Sequence, residues 1–214
     1  MHSGSPMIGN RNSIWFHLSD VVLNIVIIVG VVMLIRTFLV SPFQVKGNSM
    51  VSTLEDGEYI IINKLAYFLD EPQRGDIAVL VPPNEERRHY VKRIIGVPGD
   101  TVMIRNGKVY LQTEGQEEYI ELSEPYLNER NADHTFNHPT GNGNSESPAI
   151  YEVPEGSYFV LGDNRQGSSD SRSFKDLEGN DQPFVEGSRV KGRVWFILLP
   201  LSKIQAFAAP KYGL

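Results

Sequence analysis

The chain has 214 residues, 41% of them hydrophobic and 21% charged, with a formal net charge of −6. That suffices for one sizeable domain or two small ones, while the acidic balance argues against nucleic acid as a main partner, because phosphate binding wants a basic surface. Cysteine is absent, which removes disulfides, thiolate zinc sites and thiol catalysis together.

Residues 1–19 open polar and small, with Gly4, Gly9, Asn10 and Asn12, and are expected to form a flexible segment. From Val21 the composition turns apolar. The stretch through Val40 supplies about twenty residues, enough for a helix crossing the roughly 30 Å hydrocarbon layer. A single transmembrane anchor is therefore predicted over residues 20–41. Asn24 lies near one end of the run, and Arg36 can snorkel to the other interface. The β-branched bias matters less in lipid, where the backbone must satisfy itself. A cleaved secretory signal would place small residues directly after the run, and Thr37-Phe38-Leu39-Val40-Ser41-Pro42 is a poor match. A buried core helix is the other alternative, against which stand the run's length and its apolar character on all sides. Arg11 before the run, and Arg36 and Lys46 soon after it, do not decide orientation.

Residues 42–214 carry strand patterns. Glu58–Asn63 and Asp76–Val81 are short β-branched runs, the second introduced by the turn signal Arg74-Gly75. Tyr90–Gly96 follows, closed by Pro98-Gly99-Asp100. Thr101–Ile104 and Lys108–Leu111 flank Asn106-Gly107, the strongest short hairpin signal. Residues 123–148 are rich in Asn, Ser, Glu, Gly and Pro and read as a polar insertion rather than core. Strand character returns at Ile150–Val153, Tyr158–Leu161 and Val190–Leu199, with a loop crowded with hydroxyls and charges over Gly162–Asp181. Many short strands with Gly and Pro punctuation predict a mainly β domain. The five histidines show no metal-ligand spacing. His134 and His138 lie four apart, but Pro139 and nearby Gly and Asn argue against the helix that would align them.

Just beyond the apolar run, Gly47-Asn48-Ser49-Met50 sets a serine between a glycine and a methionine. A serine nucleophile needs a group to take its proton, and no histidine has an acidic escort at hand. Lys92 is the better candidate: strand alternation places Tyr90, Lys92 and Ile94 on one face. On spacing alone, a snorkelling or edge-strand lysine is the favoured explanation. An unperturbed lysine, with a pKa of about 10.4, is charged at neutral pH and cannot accept a proton. Desolvation among apolar neighbours disfavours the ammonium and can lower that value by several units. A neutral amine within reach of Ser49 could then act as general base.

Several ordered boxes strengthen the pairing. They are Phe43-Gln44-Val45 with Gly47-x-Ser49-Met50-x-x-Thr53-Leu54, then Arg74-Gly75-Asp76-Ile77, then Tyr90-Val91-Lys92-Arg93-Ile94-Ile95-Gly96-x-Pro98-Gly99-Asp100. Gly162-Asp163-Asn164-Arg165-x-x-Ser168-x-Asp170-Ser171-Arg172 follows, and Gly192-Arg193 to Pro200-Leu201 closes the series. Together, behind an anchor, they resemble bacterial signal peptidase I, a family of membrane-anchored serine–lysine endopeptidases. The likeness covers most of residues 20–205. It implies a transmembrane helix followed by a β domain of antiparallel sheets over residues 42–214, with the domain on the extracytoplasmic side of the cell membrane.

The resemblance also implies roles. Ser49 would be the nucleophile and Lys92 the general base, with no metal or cofactor. Ser168 would hold the lysine amine with its hydroxyl. Asp170 with Arg172, and Asp163 with Arg93, would brace that loop by ion pairing. The Ser49 backbone N–H would stabilise the oxyanion. Two positions depart from the pattern. Gly47 stands where some members offer a second, serine hydroxyl donor. Ser52 stands where the family usually has proline, which frees φ and adds an N–H.

The implied substrates are preprotein signal peptides, which carry small residues before the cleavage site. An extended peptide added to a sheet edge places alternate side chains in pockets, and Val45, Leu54, Tyr90 and Val91 would line them. Plain core packing is the alternative for each, and for Val45 and Leu54 the two readings are compatible. Membrane lipid and the secretion translocon are the further expected partners. Near the C-terminus Ala206-Phe207-Ala208 resembles a cleavage site, read as coincidence because Val194–Leu199 should be locked in a sheet. Two other functions compete: a self-cleaving serine–lysine regulatory protease, and an anchored binding module that has lost catalysis. The first usually carries a DNA-binding helical domain, and residues 1–41 offer an apolar segment instead. The second has only Gly47 and Ser52 in its favour.

Overall fold

The computed structural model describes residues 11–136, 148–210 and 212, and the chain divides into two units, Met1–Leu39 and Val40–Leu214. In the first, helix α1 spans Arg11–Leu34 and continues through a π-helical turn, Ile35–Leu39. Its stretch Trp15–Leu34 has a mean hydropathy of 2.3 and a length of roughly 30 Å, enough to cross a membrane. Its polar side chains bond to its own backbone, Ser19 Oγ donating to the Phe16 carbonyl and Asn24 Nδ2 to that of Asp20, each at 2.8 Å. Such self-satisfaction is what a lipid environment demands.

The helix starts at Arg11, nine residues before the predicted anchor boundary. No proline or glycine interrupts residues 11–29, and once nucleated a helix gains one hydrogen bond per added residue. Residues 11–19 of the expected flexible segment are therefore helical, and residues 1–10 lie outside the described residues. At the other end Pro42 disfavours helical backbone at Ser41. Val40 and Ser41, counted in the predicted anchor, belong instead to the first strand.

Among the described residues the second unit has twelve strands. In order they are β1 (Val40–Gln44), β2 (Tyr59–Asn63), β3 (Ile77–Leu80), β4 (Tyr90–Gly96), β5 (Thr101–Arg105), β6 (Lys108–Gln112), β7 (Ile120–Glu121), β8 (Ala149–Glu152), β9 (Ser157–Leu161), β10 (Val185–Glu186), β11 (Val190–Leu199) and β12 (Gln205–Ala206). A one-turn helix α2 (Ala66–Leu69) follows β2. All pairings are antiparallel. The larger sheet runs β1-β2-β11-β3-β4-β9-β10, with β12 added to β11, and the smaller runs β7-β6-β5-β8. A mainly β fold of antiparallel sheets behind one apolar helix is thus what the chain adopts. Pro42, which lacks an N–H, is accommodated because β1 is an edge strand. The Asn106-Gly107 turn joins β5 to β6 with positive φ at both residues, as a type I′ hairpin requires.

Three apolar clusters fill the domain. Val45, Met50, Leu54, Ile60, Ile77 and Val194 belong to one, Ile95, Val102 and Phe159 to a second, and Ala78, Ile94 and Val160 to a third. β4 touches all three, through Val91, Ile95 and Ile94. From Lys92 onward it is buried on both faces, so the alternation expected of a half-exposed strand is absent there.

The polar insertion is not a detached excursion over its first half. Asn131 and Thr135 are buried, and the Thr135 N–H donates to the Gly107 carbonyl at 2.8 Å, seating the segment on the β5–β6 turn. Residues 137–147 lie outside the described residues.

Candidate active site

The β1–β2 connection carries Ser49. Its base is closed by Val45 N donating to the Glu58 carbonyl at 2.8 Å and Gly57 N to the Val45 carbonyl at 3.0 Å. Gly47 N, at positive φ, donates to Asp56 Oδ1 at 2.7 Å. Met50 and Leu54 sink into the apolar cluster beside Val45, while Ser49 stays partly exposed. Apolar side chains before and after the serine thus anchor the loop and leave the hydroxyl at its surface. Ser52, where proline was expected, follows a cis Val51–Ser52 peptide bond.

Lys92 comes from β4, opposite Ala78 of β3. Its Nζ donates to Ser49 Oγ at 2.8 Å and to the Val91 carbonyl at 3.0 Å, and lies 5.1 Å from the centre of the Tyr90 ring. Only 2% of the residue is exposed. Burial lowers its pKa from 10.5 to about 8, against the opposing pull of the Asp170 and Asp163 carboxylates, and Arg172 lowers it further. Desolvation dominates because a buried ammonium loses water that two more distant carboxylates, each committed to an arginine, do not replace.

Those pairs hold the loop after β9. Arg172 Nε and Nη2 donate to the two oxygens of Asp170, both at 2.8 Å, and Gly162 N donates to Asp170 Oδ2 at 3.0 Å. Burial pushes the Asp170 carboxyl up, but Arg172 and the Gly162 N–H outweigh it and hold it below its ordinary value. Arg93, next to Lys92, forks onto Asp163 at 2.9 and 2.7 Å and donates to the Gly75 carbonyl at 2.9 Å. Asp163 also accepts from Thr53 Oγ1 of the Ser49 loop. The motif boxes therefore meet through buried charge-assisted hydrogen bonds, the strong class.

Ser168 differs from the expectation. Its hydroxyl is buried and has no hydrogen-bond partner, so it does not hold the Lys92 amine, whose hydrogen bonds go to Ser49 and to its own chain neighbour. The hydroxyl instead faces Gly162, where an added Cβ would collide with it and with the Ser49 carbonyl.

A cleft of about 610 Å³ opens over the pair, and Phe43, Val45, Ser49, Tyr90, Val91 and Lys92 are among the residues lining it. Leu54, expected at its wall, is fully buried beneath the loop and does not line it. Val45 does both, packing in the core with one surface toward the cleft. Phe43 is an unassigned lining residue, its ring tilted at 58° against that of His89 with centroids 5.5 Å apart.

Two residues of the last box went unassigned in the sequence. Asn164 bonds to the Ser49 loop through both its main chain and its side chain. Arg165, fully buried, donates to Gly162 O at 3.1 Å and Thr135 Oγ1 at 2.6 Å and pairs with Glu124. It ties the insertion to the loop after β9. The signal was present: an Asn-Arg pair directly after Gly162-Asp163. Its partners, some 30 to 120 positions away, were not. Among the described residues no cluster of three metal-ligating side chains occurs.

Known proteins carry the same sequence pattern. The family described as "Signal peptidase, peptidase S26" matches residues 18–199. A Signal peptidase I of Bacillus licheniformis is 39% identical over 183 residues, 85% of this chain and 88% of that protein. Signal peptidase I S of Bacillus subtilis is 41% identical over 184 residues, covering 85% and 89%. A signal peptidase I crystal structure from Enterococcus faecalis has 33% identity, with a TM-score of 0.41 over 58% of this chain and 97% of that one. Identity of this order through most of both sequences, with the family match over residues 18–199, makes this chain a member of the signal peptidase I family of serine peptidases.

Proposed function

We propose that the chain is a single-pass membrane endopeptidase that removes signal peptides from secreted preproteins at the outer side of the cell membrane, using Ser49 as nucleophile and Lys92 as general base. The observation that carries this is the 2.8 Å approach of a buried lysine Nζ to a serine hydroxyl, with the amine's pKa brought down to about 8. At pH 7 such an amine is neutral in about a tenth of molecules, against a few in ten thousand for an ordinary lysine. The neutral amine keeps two N–H groups, one for the Val91 carbonyl, and has a lone pair for the Ser49 proton.

In the reaction Ser49 Oγ adds to the scissile carbonyl carbon, its proton passes to Lys92 Nζ, and the carbonyl oxygen takes the electron pair near the Ser49 N–H. Collapse expels the amine, protonated by Lys92, and leaves an acyl-enzyme. Water activated by the neutral lysine then releases the signal peptide. The Asp170–Arg172 and Asp163–Arg93 pairs fix the frame. Val45, Tyr90 and Val91 would set the preference for small side chains, with the peptide extended along the β1 edge. Helix α1 would hold the domain at the lipid surface, where preproteins arrive from the translocon.

The test is cleavage of a model preprotein by the full-length chain in detergent, with Ser49→Ala and Lys92→Ala beside it. Both variants should fall to background. Substantial cleavage by either would reject the assignment.

A further inference from the structure

Asn164, directly after the Gly162-Asp163 step, contacts the nucleophile segment twice. Its backbone N–H donates to the Ser49 carbonyl at 3.0 Å. Its side-chain Nδ2 donates to the Asn48 carbonyl at 2.9 Å. These two carbonyls belong to the peptide groups on either side of the nucleophile. A peptide group is planar and trans, so fixing the direction of C=O fixes its N–H in the opposite direction. Holding the Asn48 carbonyl toward Asn164 therefore sets the Ser49 N–H pointing away from it. That N–H has no hydrogen-bond partner among the described residues. A hydrogen bond to a carbonyl oxygen also polarises its peptide unit and strengthens the N–H as a donor.

We propose that Asn164 is a positioning residue whose side-chain amide holds and polarises the Asn48–Ser49 peptide, so that the Ser49 N–H serves as the oxyanion donor. The inference rests on Ser49 being the nucleophile. It carries extra weight in this chain because Gly47 brings no hydroxyl as a second donor, leaving the oxyanion dependent on the aim of one N–H.

The test compares the full-length parent with Asn164→Ala and Asn164→Asp in detergent micelles. The substrate is a preprotein with alanine at the first and third positions before the cleaved bond. Removing a direct oxyanion donor costs about 10²–10³ in kcat; losing the group that aims one should cost about tenfold, with KM within about twofold of the parent. Asn164→Asp keeps the shape but sets a carboxylate against the carbonyl, and should lose at least as much. In Asn164→Ala, which changes no charge, the apparent pKa of kcat/KM should not move, because the charges acting on Lys92 are Asp170, Asp163 and Arg172. Affinity for a peptide aldehyde should weaken in step with kcat/KM. Ser49 Oγ adds to that aldehyde carbon, the carbonyl oxygen takes the electron pair, and the serine proton goes to Lys92. Thermal unfolding identifies a variant that has lost its fold, in which case the other variant decides.

A folded variant with parental kcat overturns the proposal. So does an Asn164→Ala whose apparent pKa shifts, or a variant whose whole loss appears in KM. Ser49→Ala in the same assay separates the two levels. Cleavage by Ser49→Ala would overturn the nucleophile assignment, whereas an inactive Ser49→Ala beside a fully active Asn164→Ala would overturn the Asn164 proposal alone.

Discussion

Replacing Lys92 by methionine should make the β domain more stable while removing its activity. The amine's pKa is about 8 in the folded chain against 10.5 in water, with burial as the leading cause. At pH 6–7 the native state therefore carries a charged amine that is disfavoured by about 3 kcal/mol, at 1.36 kcal/mol per pKa unit. Methionine has similar length and no charge. It gives up the hydrogen bonds to Ser49 Oγ and the Val91 carbonyl, a loss of about 2 kcal/mol at about 1 kcal/mol each. The expected net gain at pH 6–7 is about 1 kcal/mol.

The sign reverses with pH. Because the folded pKa lies below the unfolded one, the unfolded chain binds the extra proton between pH 8 and 10.5, and parental stability climbs through that window. By pH 10 most of the penalty has gone, and the methionine variant should have lost its advantage. Urea unfolding of both full-length proteins in detergent, followed at Trp195 of β11 from pH 6 to 10, reads this directly. A stability difference constant to about 0.5 kcal/mol across that range would refute the reasoning, since no buried titration would then separate the two proteins.

Other perturbations test the surrounding frame. Gly162→Ala should cut kcat by about 100-fold or more, because the new methyl collides with Ser168 Oγ and the Ser49 carbonyl, a steady-state measurement that the larger Gly162→Val should only worsen. Arg165→Met should destabilise the domain by about 3–5 kcal/mol in urea by stranding Glu124, and adding Glu124→Met should restore part of that. Asp170→Asn removes a carboxylate that raises the Lys92 pKa and frees Arg172, which lowers it; the acid limb of the kcat/KM profile should move to lower pH while kcat falls.

Much of the fold could be read from local pattern. β4 and β11 occupy the predicted residues, and the Asn106-Gly107 hairpin is formed, because strand alternation and turn chemistry are written in adjacent residues. The missed strands β1, β7, β10 and β12 are edge or two-residue segments with little pattern of their own. The Ser49–Lys92 approach was inferred from motif order, yet the burial that lowers the amine's pKa depends on both faces of β4 being covered, which no window around Lys92 reveals. Leu54 was misplaced because a motif position says nothing about which way a side chain faces. Residues 124–136 look like a solvated loop in composition, and only the folded chain brings Glu124 and Thr135 to the buried guanidinium of Arg165. Ser168 shows the converse: the right residue in the right loop, with its hydroxyl turned to Gly162 instead of the amine.

The most direct measurement is the titration of Lys92 itself, by NMR of the full-length protein in micelles carrying lysine labelled with ¹³C at Cε, the resonance being identified by its disappearance in Lys92→Met. A midpoint at about 8 is the expected result. A midpoint of 10 or higher would mean an amine that stays charged where the enzyme works, and the proposed base would have no lone pair to offer.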